Sequence, residues 1–287
     1  MSRLPITKTP KPYVGGSFIR SESGRTFPLA DATGAFFANI PQCTRKDLRN
    51  AIEAAAKAGP GWAKRTAYNR GQILYRLAEM LEARRDEMIG TLVRFGSTKS
   101  AAAKEVDATT DRLIYYAGWA DKYEQVLGNT NPVASPHFNF TVTEPMGVVG
   151  VIAPDAPALL GLVSLIAPII VSGNTVIALA AEKNPYPSII LGEMLATSDL
   201  PGSVVNLLTG FRRELIPTFA THTHLRAISA VAGPADRQAL RLGAAESVKR
   251  VHFTDLEGAA WFKTEAESVY AIRDFLEFKT TWHPIGA

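Results

Sequence analysis

The sequence predicts an α/β protein built on a doubly wound, mostly parallel sheet. From Gly147 onward, short apolar runs alternate with helical segments, and the connections between them are short. Repeated strand–helix units of this kind form parallel sheets with helices on both faces. The chain has 287 residues, of which 46% are hydrophobic, so it contains enough apolar material for a substantial core.

A hairpin-like pattern opens the chain, in which Tyr13–Ile19 and Arg25–Pro28 flank turn residues. Thr44 can cap the first helix, and Asp47 three residues later favours the positive end of that helix. The Gly-Pro pair that begins at Gly59 predicts the end of the helix.

Further helical segments make the N-terminal third mainly helical. Their apolar residues recur at helical spacing, and Gly96 and Gly128 close the last two segments. We expect these helices over Ile73–Arg85, Asp86–Phe95 and Lys99–Leu127.

The strands follow from alternation and from apolar runs. Phe138–Val142 alternates apolar and polar residues, as a half-buried strand does. Gly147–Ala153 is apolar throughout and suits a parallel strand buried on both faces. Beyond it, the pattern predicts strands at Thr175–Leu179, Val204–Leu208, Ala227–Val231 and Val248–Phe253, and helices at Leu159–Ser172, Pro187–Thr197, Glu214–Thr221 and Arg237–Ala245.

Charge and composition argue against several classes of function. The net charge is +4 and the basic residues are scattered, so nothing predicts a nucleic-acid partner. Ala156–Ala181 lacks charged residues, but its prolines and glycine divide it into a buried helix between strands rather than a membrane span.

His222 and His224 fall in a loop without nearby Cys or Asp, so we expect no metal site. Met1–Pro12 lacks the apolar region of a secretory signal, and a single cysteine suits the reducing cytoplasm.

Ligands bind such sheets at the carboxyl ends of the strands, so the loops after Ala153, Leu179, Leu208 and Val231 are the informative ones. None of them contains the G-x-G-x-x-G fingerprint of dinucleotide binding. Composition and periodicity alone therefore predict an α/β domain and leave nucleotide binding open.

Four longer segments carry a resemblance to a known family. They read EPMGVVGVIAP from Glu144, GNTVI from Gly173, LPGSVVNLLTG from Leu200 and FKTTW from Phe278. Together with the helical N-terminal part, which includes YAGWADK from Tyr116, they resemble the aldehyde dehydrogenase superfamily over nearly the whole chain. The resemblance implies the Rossmann-like NAD-binding domain of that family and its small antiparallel oligomerisation sheet.

The resemblance also implies a division of the chain. Residues 1–128 would be the helical part of the NAD-binding-type domain, and residues 144–270 its Rossmann-like part. Residues 129–143 and 271–287 would be the oligomerisation strands, whose edges and apolar faces a monomer could not easily cover. The expected interface residues on these strands are Phe138, Phe140, Val142, Phe278 and Trp282.

Three loops depart from the family pattern. Ala156 stands where the family has the Asn of its oxyanion hole, and an alanine side chain donates no hydrogen bond. Leu179 replaces a Lys that contacts the cofactor ribose, and the loop before the last predicted helix has lost its phosphate motif. We therefore expect no bound cofactor, although NAD(P) could still use the vestigial contacts: Ile152, Pro154, Glu182, Gly210 and Gly233.

The catalytic groups of the family have no counterpart. After Phe253 the family continues into a Glu-Leu-Gly-Gly motif and its catalytic domain, whereas this sequence passes through Thr254–Tyr270 to the segment that resembles the oligomerisation strand. Aldehyde oxidation needs a thiolate that attacks the carbonyl carbon. The single cysteine, Cys43, lies far in the chain from every informative loop, so we expect no catalytic residue and no catalytic domain.

These departures predict a pseudoenzyme, similar to the degenerate second unit of duplicated aldehyde dehydrogenases. It would assemble with itself or with a catalytically complete aldehyde dehydrogenase and shape or regulate that partner. Two alternatives remain open. The chain could bind NAD(P) as a sensor or as half of a composite site, using Glu182 and the helix after Gly233. It could also be an enzyme of another type that uses Asp155.

Overall fold

The computed structural model describes residues 8–286. Its strands are β1 (Tyr13–Val14), β2 (Ser17–Phe18), β3 (Thr26–Ala30), β4 (Phe36–Pro41), β5 (Asn129–Asn131), β6 (His137–Pro145), β7 (Val148–Ile152), β8 (Thr175–Leu179), β9 (Val205–Leu208), β10 (Leu225–Ala230), β11 (Arg250–Phe253) and β12 (Leu276–Pro284). Its α-helices are α1 (Arg45–Ala63), α2 (Ala67–Ala83), α3 (Arg85–Arg94), α4 (Lys99–Trp119), α5 (Tyr123–Leu127), α6 (Leu160–Val171), α7 (Tyr186–Leu195), α8 (Arg212–Thr221), α9 (Pro234–Ala245) and α10 (Val269–Arg273).

One sheet organises the α/β part, with the strand order β11-β10-β7-β8-β9-β1-β2. Strands β7 to β11 are parallel, and β1 joins the edge of β9 antiparallel. The chain builds outward from β7 to β9 and then crosses to the other side of β7 to form β10 and β11. The predicted doubly wound fold is confirmed, and its strand order reverses between β7 and β10, where such sheets open a crevice.

Helices cover both faces of the central strands. Every residue of β7 and β8 is buried, as is every residue of α6, which packs on one face. On the other face α8 approaches so closely that a Cβ at Gly150 would lie 2.7 Å from Cδ1 of Phe219. Within residues 8–286, no helix combines the length and the hydropathy that crossing a membrane requires.

Several helix boundaries differ from the sequence-based expectation, and two of the differences have a clear cause in tertiary packing. Helix α1 does not end at Gly59 but continues through Pro60 to Ala63. Its last turn is held by the buried Trp62, whose indole Nε1 donates to the carbonyl of Ile170 at 2.9 Å. This tertiary contact outweighs the one backbone hydrogen bond that a proline removes.

The predicted helix over Lys99–Leu127 is interrupted after Trp119. A turn, in which the amide of Lys122 donates to the carbonyl of Trp119 at 3.0 Å, separates α4 from α5. The turn lets Tyr123 enter the core, where it is only 2% exposed. Burial of this aromatic ring explains the break, which lies just after Gly118 in the sequence.

A second, smaller sheet stands apart, with the order β12-β6-β5 and antiparallel pairing throughout. Strands β12 and β6 pair over their full lengths, from Leu276 opposite Pro145 to Pro284 opposite His137. Residues 254–275 connect β11 to β12 through two 3₁₀ turns and α10. The predicted small antiparallel sheet is therefore present.

Asn174 ties the two sheets together, and its removal should destabilise both. Its side chain is fully buried, accepts from the Gly147 amide and donates to Ser172 Oγ and to the Phe275 carbonyl, each at 2.8 Å. We expect Asn174→Ala to lower the free energy of unfolding by about 2–4 kcal/mol, because buried partners lose their hydrogen bonds. Urea denaturation measures the change. The control Asn129→Ala, at an exposed position, should stay within about 0.5 kcal/mol of the parent.

Candidate functional site

The candidate site lies at the carboxyl edge of the large sheet, where the structure places the five expected cofactor residues. Ile152 ends β7, Pro154 follows it in a buried turn, and Glu182 lies in the loop after β8. Gly210 follows β9 with φ 151°, a conformation that favours glycine, and Gly233 is the N-cap of α9. No hydrogen bond within residues 8–286 joins Gly233 to Glu182.

Three residues at this edge are linked by hydrogen bonds between their side chains and the neighbouring backbone. Asp155 Oδ1 accepts from the backbone amides of Glu182 at 2.8 Å and Lys183 at 3.2 Å. Glu182 Oε2 accepts from the backbone amide of Arg212 at 2.7 Å. Arg212 Nη2 donates to the Ala153 carbonyl at 2.7 Å and lies 3.4 Å from Asp155 Oδ1. We call Asp155, Glu182 and Arg212 the carboxyl-edge network, because it fastens together the loops that follow β7, β8 and β9.

The network changes the roles that the sequence suggested. Glu182 holds the first turn of α8, where a carboxylate stabilises the exposed amides and the positive end of the helix. Asp155 fixes the loop after β8 and lies beside a guanidinium, so its contacts give no support to a separate catalytic role. Arg212 was missed by the sequence analysis, although a charged residue directly after the β9 loop could have drawn attention to it.

A third carboxylate occupies the start of α6. Glu105 Oε1 accepts from the backbone amides of Leu159 at 2.9 Å and Leu160 at 3.2 Å. The Glu105 side chain is buried, and that burial raises its pKa despite the two hydrogen bonds. Helix N-termini attract anions, but at α6 and α8 the chain supplies its own carboxylates. No sequence pattern predicted this contact, since Glu105 lies in α4, more than fifty residues away.

The single cysteine lies against the loop after β9, but its thiol is in an unreactive form. Cys43 is fully buried, and its backbone amide donates to the carbonyl of Thr209 at 2.9 Å. Burial raises the pKa of the thiol to about 12. A thiolate is the reactive form, so this thiol is inert at neutral pH. Across the described part of the chain, no group of three or more His, Cys, Asp or Glu residues could hold a metal ion.

Sequence comparison identifies the family. Residues 18–260 match the sequence model described as the aldehyde dehydrogenase family. The chain belongs to this family. Retinal dehydrogenase 2 of Gallus gallus is 34% identical over 229 residues, which are 77% of this chain and 43% of that protein. An aldehyde dehydrogenase of Alternaria alternata is 32% identical over 247 residues, which are 83% of this chain and 48% of that protein.

Solved structures show the same relationship. An aldehyde dehydrogenase from Bacillus cereus, in a complex with NAD+, matches with a TM-score of 0.81 and 26% identity, covering 86% of this chain and 50% of that one. A putative aldehyde dehydrogenase from Burkholderia cenocepacia matches with a TM-score of 0.82 and 26% identity, covering 85% of this chain and 50% of that one. This chain therefore spans about half the length of the relatives that it matches.

The fold of the family implies a dinucleotide, and the residues at the carboxyl edge do not fit one. Leu179 is fully buried in the sheet, and the amides of the first turns of α6 and α8 already bind Glu105 and Glu182. Among the described residues, two groups are still available to a dinucleotide. They are the first turn of α9, which has no side-chain cap, and the buried Nε of Arg212, which has no partner. One free helix end and one donor do not replace the ribose and phosphate contacts that are lost.

The thiol of Cys43 should resist alkylation until the protein unfolds. Its pKa of about 12 leaves little thiolate at pH 8, and the surrounding core excludes the reagent. We expect iodoacetamide to modify the native chain at least roughly 100-fold more slowly than the urea-unfolded chain. Mass spectrometry of the alkylated protein over time measures both rates. Equal rates in the two states would contradict the burial of this residue.

Proposed function

We propose that this chain is a non-catalytic member of the aldehyde dehydrogenase family that acts through assembly. Its partner would be a second copy of itself or a catalytically complete aldehyde dehydrogenase, which it would shape or regulate. The observation that carries the proposal is the uncovered three-stranded sheet β12-β6-β5. A single unoxidised thiol suits the cytoplasm, which we propose as its compartment.

Both faces of this sheet carry exposed apolar side chains. The register sets Phe278 opposite Thr143 and Trp282 opposite Asn139, so Phe278 and Trp282 share one face. Phe138, Phe140 and Val142 lie on the other face, because side chains alternate along a strand. Phe138 is 46% exposed and Trp282 is 56% exposed, which a second protein layer would relieve. The five expected interface residues thus belong to two surfaces rather than one.

The edge of the sheet also favours a partner. Strand β12 pairs with β6 on one side only, and every one of its residues after Leu276 is exposed. A long strand with free backbone donors and acceptors pairs readily with another chain.

The chemistry of the sequence supports the non-catalytic part of the proposal. Oxidation of an aldehyde through a thiohemiacetal requires a thiolate, and the one cysteine is buried with a pKa of about 12. Ala156, at the position of the family's oxyanion donor, has no side-chain donor. The carboxyl-edge network binds its own loops instead of leaving polar groups free for a substrate.

Assembly should depend on both faces of the small sheet. We expect the parent chain to form a dimer or larger oligomer at micromolar concentration, and Phe138→Lys and Trp282→Lys each to shift it toward monomer, because a buried lysine lacks a partner. Light scattering coupled to gel filtration measures the mass. The control Tyr68→Lys, at an aromatic residue that is 66% exposed on α2, should leave the mass unchanged. A parent chain that is monomeric and co-purifies with no aldehyde dehydrogenase of its host would refute the proposal.

The chain should not bind NAD or NADP with useful affinity. The expected result of calorimetric titration is no saturable heat up to about millimolar cofactor, since Leu179 replaces the family's ribose-binding Lys and Glu182 already accepts from the Arg212 amide. Saturable binding that Glu182→Ala weakens, while Glu265→Ala does not, would instead favour the alternative of a cofactor sensor or composite site. Glu265 provides the matched control, because it is an exposed carboxylate in the connection between β11 and β12.

A further inference from the structure

A cavity of about 420 Å³ lies at the amino edge of the large sheet, where β7, β8 and β10 begin. It is bordered by Val148 and Thr175, the first residues of β7 and β8, by the last turns of α1, and by the turn before β10. We call it the amino-edge cavity. Cavities of roughly 300–1,000 Å³ are typical of sites for small molecules. This one lies at the opposite end of the strands from the carboxyl-edge network, so its groups are not used there.

A bulge in β10 brings Arg226 to this cavity. Leu225 pairs with Val148 and Ala227 pairs with Val149, so Arg226 is an extra residue without a partner in the register. Such a bulge changes the direction of a side chain at the end of a strand. The stem of Arg226 lies close to the backbone of Gly147, because a Cβ there would be only 3.6 Å from its Cγ. The local backbone therefore places this guanidinium group at the cavity wall.

Arg226 is the one residue with a permanent charge among the described residues that line the cavity, and none of them is Asp or Glu. No carboxylate of residues 8–286 forms an ion pair with its guanidinium group. His224 also lines the cavity and is exposed, and an imidazole carries at least one N–H in either charge state. Both side chains reach the solvent-filled space, so both can donate to one bound anion.

The turn before β10 also has positive surroundings. Burial lowers the pKa of His222, and the charges of His224 and Lys249 lower it further, whereas Glu53 opposes the shift. Positive charge around a cavity attracts an anion and disfavours a cation. The charges that surround the cavity therefore favour an anionic ligand.

The rest of the lining is largely apolar. Met146 is partly buried and packs against the core. Gly173, whose φ is 94°, lets α1 come close, since a Cβ there would lie 3.3 Å from Cα of Ala63. The apolar side chains that line the cavity are Ala56, Pro60, Ala63, Pro145 and Met146. Walls of this kind accommodate a hydrocarbon body and provide few hydrogen-bond partners.

We propose that the amino-edge cavity binds a small carboxylic acid in its anionic form, an aliphatic monocarboxylate in the simplest case. The carboxylate accepts from the guanidinium group of Arg226, whose planar fork matches two carboxylate oxygens, and from the ring of His224. The hydrocarbon body lies against the apolar walls beside Met146. One unpaired guanidinium group among apolar side chains fits a monoanion of this kind.

The chemistry of the ligand suggests where it comes from. Oxidation of an aldehyde yields a carboxylic acid, so the ligand would be the product of a catalytically complete aldehyde dehydrogenase. A non-catalytic partner that binds this product could respond to the output of the enzyme. This link rests on the proposed function, whereas the binding itself does not.

Titration of the full chain with three probes tests the site. Hexanoate should bind saturably, and at least about tenfold more tightly than acetate, which lacks the hydrocarbon body, or hexanol, which lacks the charge. Calorimetry or ligand-observed nuclear magnetic resonance measures each affinity. Absence of saturable hexanoate binding up to about 10 mM, or an affinity for hexanoate equal to that for acetate or hexanol, would overturn the proposal.

A pair of arginine variants locates the carboxylate. Arg226→Gln removes the charge and should weaken hexanoate at least about tenfold while leaving hexanol unchanged. Retained hexanol binding shows that the apolar walls of the variant are still formed. Arg20→Gln, at an exposed arginine outside the cavity, should change neither affinity. If Arg226→Gln binds hexanoate as tightly as the parent chain, or if Arg20→Gln loses the same affinity, the assignment is wrong.

A third variant locates the hydrocarbon body. Met146→Gln keeps an unbranched side chain but makes its end polar, so it should weaken hexanoate and hexanol by the same factor, at least about threefold. Unchanged affinities for both probes would place the hydrocarbon body elsewhere and contradict the proposal. None of these readouts involves assembly, so the proposed function stands or falls separately.

Discussion

Burial of β7 on both faces is the constraint on which the rest of the structure depends. Its valines at 149 and 151 pack toward α6, and Gly150 on the other face leaves room only for the ring of Phe219. A strand without an exposed face can present functional groups only beyond its ends. The loop that begins at Ala153 therefore concentrates the polar groups of this region, and Asp155 lies within it.

Helix ends impose the second constraint. Each helix leaves unpaired amides at its start, and a buried start must find acceptors. Glu105 supplies them for α6, and Glu182 supplies one for α8. In a nucleotide-binding sheet those amides are the natural partners of anionic ligands. Here their hydrogen bonds are made inside the chain, and they contribute to stability rather than to recognition.

The parts of the molecule that remain unsatisfied lie elsewhere. The small sheet has a free edge at β12 and apolar side chains on both faces. Near β11, two buried nitrogen atoms, on His252 and Trp261, have no hydrogen-bond partners among the described residues. Unmet hydrogen bonds and uncovered apolar area are the features that binding can relieve. The uncovered apolar area of the small sheet is therefore the feature that favours assembly.

The sequence by itself determined the fold class and the family. Apolar runs predicted β7 and β8, because a strand buried on both faces has an uninterrupted apolar sequence. The predicted strand Thr175–Leu179 has the same first and last residues as β8. The tertiary structure alone decided the carboxyl-edge network and the cap from Glu105, which join residues far apart in the chain and leave no periodic pattern. It also decided which face of β6 carries Phe138, and it built the amino-edge cavity from α1, β7 and the turn before β10, which no spacing in the sequence relates. Local spacing encodes an element, whereas the contacts between elements depend on how the whole chain packs.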